Sequence, residues 1–161
     1  MTDERDRRKE AGGADDGRAE LTIPALLRAA GRTYAAAARG ALAAAGFDDM
    51  PRDGSYVVSG IARTGAPLGE IITALGVSKQ AAGQLVDTLV IRGYLDRAVD
   101  PEDRRRLTVS LTARGQAAAR AIRSAVDQVD AGVAARVGAE FVLHTRATLA
   151  ALMEVGEEAG P

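Results

Sequence analysis

The residues of this chain that could do chemistry are arginines, glutamines and one lysine rather than nucleophiles. Arg104, Arg105 and Arg106 form an uninterrupted cationic run. Some twenty residues earlier, Ser78, Lys79, Gln80 and Gln84 bracket Gly83 in a segment with helical spacing. A guanidinium presents a fork of donors that fits phosphate oxygens. A glutamine amide both donates and accepts, so it can read the mixed edge of a nucleobase. The other chemistries lack their parts. There is no cysteine, which removes disulfides, thiolate metal sites and cysteine redox sensing. His144 is the only histidine and has no ligand partners at a usable spacing, so a structural role is the plainer reading. No nucleophile–base–orienter set and no phosphate loop is visible, so no enzymatic activity and no cofactor or metal are expected.

Those polar residues need a scaffold, and the hydrophobic pattern supplies one. The 161 residues suit a single domain. They are 47% hydrophobic but only 3% aromatic, with much alanine. Such a composition favours helices and leaves a thin core that gains from a partner chain. The charged N-terminal stretch, residues 1–19, cannot bury apolar surface and is expected to be frayed or disordered. A helix is predicted over 21–46, ended by Gly46, and a short one over 55–63. Leu68, Ile71, Ile72 and Leu75 then make one apolar stripe, and Gly76 ends that helix. Ser78 is a good N-cap for the next helix, which runs to Arg92 and stops at Gly93. Its Ala82, Leu85, Val86 and Leu89 face one way, while Gln80, Gln84, Asp87 and Ile91 face the other. Asp87 on that face would either repel phosphate or orient an arginine.

Residues 94–98 read as a strand, 99–106 as a polar tip, and Leu107, Val109 and Leu111 as the inward positions of a second strand. Thr112 caps a long helix in which Ala118, Ile122, Ala125, Val129 and Val133 form an apolar stripe, weakened locally by Gly132 and Gly138. A last helix over 139–155 and a loose tail after Gly156 complete the chain. The fold class is mainly α, with a winged helix-turn-helix lobe at 55–112, its wing at about 95–111, and flanking helices.

Net charge is −1, yet residues 60–115 carry eight basic and six acidic side chains, a local +2. The chain is thus nearly neutral, with three consecutive arginines concentrated at one loop. Read as a solvated face, that run would simply pair with Asp100, Glu102 and Asp103. Attached to a helix-turn-helix, it is better placed to meet DNA.

The stretch LGVSKQAAGQLVDTLVIRGYLDRAVDPEDRRRLTVSLTARG, residues 75–115, resembles the DNA-binding core of the MarR (multiple antibiotic resistance regulator) family. Gly93-Tyr94-Leu95, then Asp100, Asp103 and Arg105, then Leu111, Thr112 and Gly115 fill the family's pattern. The first helix of the motif, at Ala66-Pro67-Leu68-Gly69-Glu70-Ile71-Ile72, departs from it by lacking the family's E-L-A. The resemblance implies Arg105 as the wing arginine aimed at DNA and Asp103 as the residue that orients it. It implies a homodimer built from 21–46 and 116–155, double-stranded DNA as partner, and a pseudo-palindromic operator. A repressor released by a small aromatic or lipophilic effector is the expectation that follows. Phe47 and Tyr56 are the candidates for that effector's pocket, though core packing is the plainer reading of each. The competing function is a winged-helix module that binds protein, with which the low net charge is compatible. No apolar run reaches the roughly 18 residues a membrane span needs, and the N-terminus lacks a signal-peptide core, so a cytoplasmic location is expected.

Overall fold

The computed structural model describes residues 21–64, 68–99 and 107–158. Six helices and one hairpin follow in order: α1 Ile23–Ala44, α2 Gly54–Thr64, α3 Leu68–Leu75, α4 Lys79–Ile91, β1 Leu95–Val99, β2 Leu107–Leu111, α5 Ala113–Val137 and α6 Ala139–Glu158. The chain divides into two compact units inside α1, between Ala35 and Ala36. In the first unit Ile23, Leu26 and Leu27 are exposed.

The second unit holds the core. Val57 and Val58 of α2, Leu89 of α4, and Tyr94 and Leu95 at the start of the hairpin are its most deeply buried large side chains. Ala38 and Leu42 of α1, Ile71, Val86, Ala118, Ala119 and Ile122 pack around them. The two stripes read from the sequence are both turned inward: Ile71 is buried with Leu68, Ile72 and Leu75 against it, and Ala82, Val86 and Leu89 are buried with Leu85 alongside. Small side chains let α2 and α5 approach closely, which suits an alanine-rich sequence with few aromatics.

Local chemistry sets the element ends. The Ser78 hydroxyl accepts from the Ala81 amide at 3.2 Å, and the Thr112 hydroxyl accepts from the Gly115 amide at 3.0 Å. Both caps satisfy a first-turn N–H that has no intrahelical partner. Gly93, at φ 71°, turns the chain out of α4 so that the Tyr94 amide reaches back to the Leu89 carbonyl at 2.9 Å. Only glycine adopts that left-handed conformation without strain. The strands pair antiparallel, with Leu95 opposite Leu111 and Arg97 opposite Val109.

Helix α5 runs through Gly132 without a break, because one glycine costs only about 1 kcal/mol in a long helix and the Arg136 guanidinium donates to its carbonyl at 2.6 Å. One expectation is corrected: the chain after Gly156 is not loose at once, since α6 continues to Glu158. The expectation for residues 1–19 lies outside the described residues.

Candidate nucleic-acid interface

Helices α3 and α4 meet at the Gly76–Ser78 turn, and α4 lays its apolar side on the core. Its opposite side is bare. Ser78, Lys79, Gln80, Gly83, Gln84 and Asp87 are all exposed, and Ile91 is 84% exposed. At 100° per residue, Gln80, Gln84, Asp87 and Ile91 fall within an arc of about 60°. The face therefore presents two amides, a carboxylate and one aliphatic group, with a helix N-terminus and Lys79 at its leading end. A helix N-terminus favours anions through its free N–H groups and dipole.

Asp87 is engaged: its Oδ1 meets Nη2 of Arg97, on β1, at 2.7 Å. The sequence flagged Asp87 as a residue that could orient an arginine, but did not identify which one. Asp103, Arg104, Arg105 and Arg106 lie outside the described residues, which leave α4 and the strands of the wing as the interface.

A polar joint behind the wing went unnoticed in the sequence. Asp49, in the α1–α2 connection, accepts from the Tyr94 hydroxyl at 2.5 Å and from Arg114 at 2.8 Å. Arg114 also donates to the Arg92 carbonyl at 2.8 Å and lies over the Tyr94 ring, 4.5 Å from its centre. The Arg92 side chain donates to the Asp49 carbonyl. Four elements thus converge at one place: the α1–α2 connection, the end of α4, the start of the wing and the start of α5. The hydrogen bond from Tyr94, and then the charge of Arg114, hold the Asp49 carboxyl below its usual value against the opposing effect of desolvation. Burial first, and then the bond to Asp49, push the Tyr94 hydroxyl up to about 12. Gly115 closes the joint. A Cβ there would lie 2.1 Å from the Tyr94 carbonyl oxygen, so no side chain fits. This explains physically why threonine and glycine stand three apart at 112 and 115.

The structure separates the two candidate pocket residues. Phe47 is half-buried and sits edge-on to Tyr94, ring centres 6.1 Å apart, as part of the joint. Tyr56 instead borders a cleft of about 820 Å³ between α2 and α5. Ile71, Ala119, Ile122 and Val126 give the cleft an apolar wall, and Arg63 and Arg120 stand at its polar side. The Ser59 hydroxyl, also in the lining, is buried and has no hydrogen-bond partner. His144 lies on α6 with its ring edge-on to exposed Phe141, centres 6.4 Å apart. No cluster of metal-ligating side chains occurs among the described residues. No helix among them is long and apolar enough to cross a membrane.

A braced helix pair, an exposed second helix and a hairpin placed directly after it define a winged helix-turn-helix. Residues 49–106 match the model of the MarR family. The fold is shared with solved structures. A MepR mutant from a multidrug-resistant S. aureus clinical isolate superposes with TM-score 0.66 at 21% identity, over 84% of this chain and 98% of that one. The S. aureus MepR–DNA complex gives 0.65 at 20% identity, over 84% and 99%. A probable transcriptional regulator from Pseudomonas aeruginosa gives 0.61 at 26% identity, over 81% and 96%. No curated protein matches the sequence.

Proposed function

We propose that the chain is a sequence-specific, DNA-binding transcriptional regulator that acts as a homodimer on a pseudo-palindromic operator. The observation that carries this reading is the outward face of α4. Gln80 and Gln84 stand fully available opposite a buried stripe, on the helix that a winged helix-turn-helix lays in the major groove. Ser78 and Lys79 lie at the end of α4 that meets phosphates, and Gly83 allows close approach. MepR, which has this fold, has been solved bound to DNA. In this reading the arginines at 104–106 add phosphate or minor-groove contacts, led by Arg105 and oriented by Asp103.

The dimer is supported by α6. Phe141, Leu143, Leu152, Met153 and Val155 are each about half exposed or more. So many large apolar groups on one helix mark a surface that another chain covers. The cleft bordered by Tyr56 suits a small aromatic or lipophilic effector, whose binding would release DNA and relieve repression. Acting on DNA, the protein would work in the cytoplasm.

The test is selection of bound duplexes from a random pool with the full-length protein. The proposal expects enrichment of an inverted repeat with half-sites about one helical turn apart. If nothing is enriched, the winged helix is a protein-binding module, as its near-neutral charge would allow.

A further inference from the structure

We propose that Asp87 is a positioning residue that holds the Arg97 guanidinium beside the exposed face of α4, where Arg97 takes a phosphate of the bound duplex. The inference rests on the DNA-binding reading and adds a contact to it. A carboxylate at the middle of a DNA-facing surface weakens binding by repulsion unless something offsets it. Asp87 lies within about 20° of Gln80 around the α4 axis, so it cannot avoid that surface. Its partner comes from the wing rather than from α4, with Asp87 Oδ1 and Arg97 Nη2 2.7 Å apart.

Stability does not account for the pair. The two side chains are 57% and 37% exposed, and an ion pair in such a setting contributes about 0–1 kcal/mol. Its geometric effect is larger. The backbone of Arg97 is fixed in the hairpin opposite Val109, and the bridge fixes the other end of its side chain. A guanidinium has five N–H donors, so one bound carboxylate leaves donors free for a phosphate oxygen. An ordered arginine also loses less side-chain entropy on binding than a free one.

The two accounts of Asp87 differ in sign. If the carboxylate merely faces DNA, its removal strengthens binding. If it positions Arg97, its removal weakens binding. The experiment measures the affinity of the full-length protein for its selected operator across a salt series, with Asp87→Asn, Arg97→Ala, Arg97→Lys and the Asp87→Asn/Arg97→Ala double variant. Asp87→Asn should weaken binding about threefold to tenfold, the scale of one oriented charge contact. Arg97→Ala should lower the slope of log affinity against log salt by about 0.9, one phosphate contact, while Arg97→Lys keeps the wild-type slope. The double variant should bind no worse than Arg97→Ala alone. Binding by Asp87→Asn at or above the wild-type level, or an unchanged slope in Arg97→Ala, overturns the inference and leaves the DNA reading intact. A wild-type protein with no operator preference overturns both.

Discussion

One substitution made at two positions separates what folds this protein from what would bind DNA. Gly83 and Gly115 both lie in helices, and alanine at each gives opposite results. Around Gly83 nothing lies within 4 Å of an added Cβ. Alanine there gains the helix propensity that glycine lacks, about 1 kcal/mol. For a chain of this size that raises Tm by about 2–4 °C. At Gly115 the added Cβ would sit 2.1 Å from the Tyr94 carbonyl oxygen and 3.0 Å from Leu111 Cδ2. A carbon and a carbonyl oxygen normally stay about 3.3 Å or more apart, so the chain must move by over an ångström. The carbonyl in question also accepts the Thr112 amide at 3.1 Å, so movement breaks the tie between wing and α5. Overpacking of this kind costs about 1–3 kcal/mol, sometimes more. A net loss of about 2 kcal/mol, or 4–8 °C in Tm, is expected. The assay is thermal unfolding followed by circular dichroism at the helical band, since the chain has no tryptophan. Operator binding adds a second readout: Gly83→Ala should melt higher yet bind more weakly, because its new methyl occupies the surface facing DNA. Equal melting of the two variants, or a Gly115→Ala protein as stable as wild type, would show that the joint tolerates a side chain at position 115.

The other expectations can be measured on the same protein. Ser78→Ala and Thr112→Ala each remove a helix cap and should each lower stability by about 1 kcal/mol in urea unfolding, with the larger loss at Thr112, whose hydroxyl also donates to the Gly93 carbonyl at 2.5 Å. The Tyr94 hydroxyl has a folded value of about 12 against 10.0 unperturbed, so the stability it contributes is complete below pH 10 and is lost as pH rises through about 12. Tyr94→Phe should remove that part of the alkaline dependence, read by unfolding at stepped pH. Asp49 works in the opposite sense: its lowered value means a contribution present above 3.8 and lost as pH falls below it, which Asp49→Asn should abolish. Phe141→Asp combined with Leu152→Asp should convert a dimer to a monomer in sedimentation; a dimer that persists would place the contact elsewhere.

Elements set by local signals were legible in the sequence. The inward stripes of α3 and α4, the Ser78 and Thr112 caps and the Gly93 stop depend on residues a few positions apart, so periodicity and cap chemistry located them. The alternation at Leu107, Val109 and Leu111 located the second strand in the same way. The joint was not legible, because its partners are distant: Asp49 lies 45 residues from Tyr94 and 65 from Arg114. Nothing in the type of those residues announces that three separate segments bring them together. Asp87 is the intermediate case. Its unfavourable place on the α4 face was visible and implied a partner, but choosing Arg97 required the hairpin to be folded against the helix. Phe47 and Tyr56 are near one another in sequence, yet the turn at 51–54 sends one to the joint and the other to the cleft. Gly132 shows that a weak helix former does not end a helix when neighbouring turns are sound.

In the proposed function the exposed face of α4 reads a DNA sequence. The most direct measurement is an equilibrium titration of the full-length protein against its selected operator and a scrambled duplex of equal length, repeated with Gln84→Ala. Operator binding should be at least about 10³ tighter than scrambled binding, and the preference of Gln84→Ala should shift at one position of each half-site while its salt slope stays the same. Equal affinity for the two duplexes, or a Gln84→Ala protein with unaltered preference, would contradict that reading.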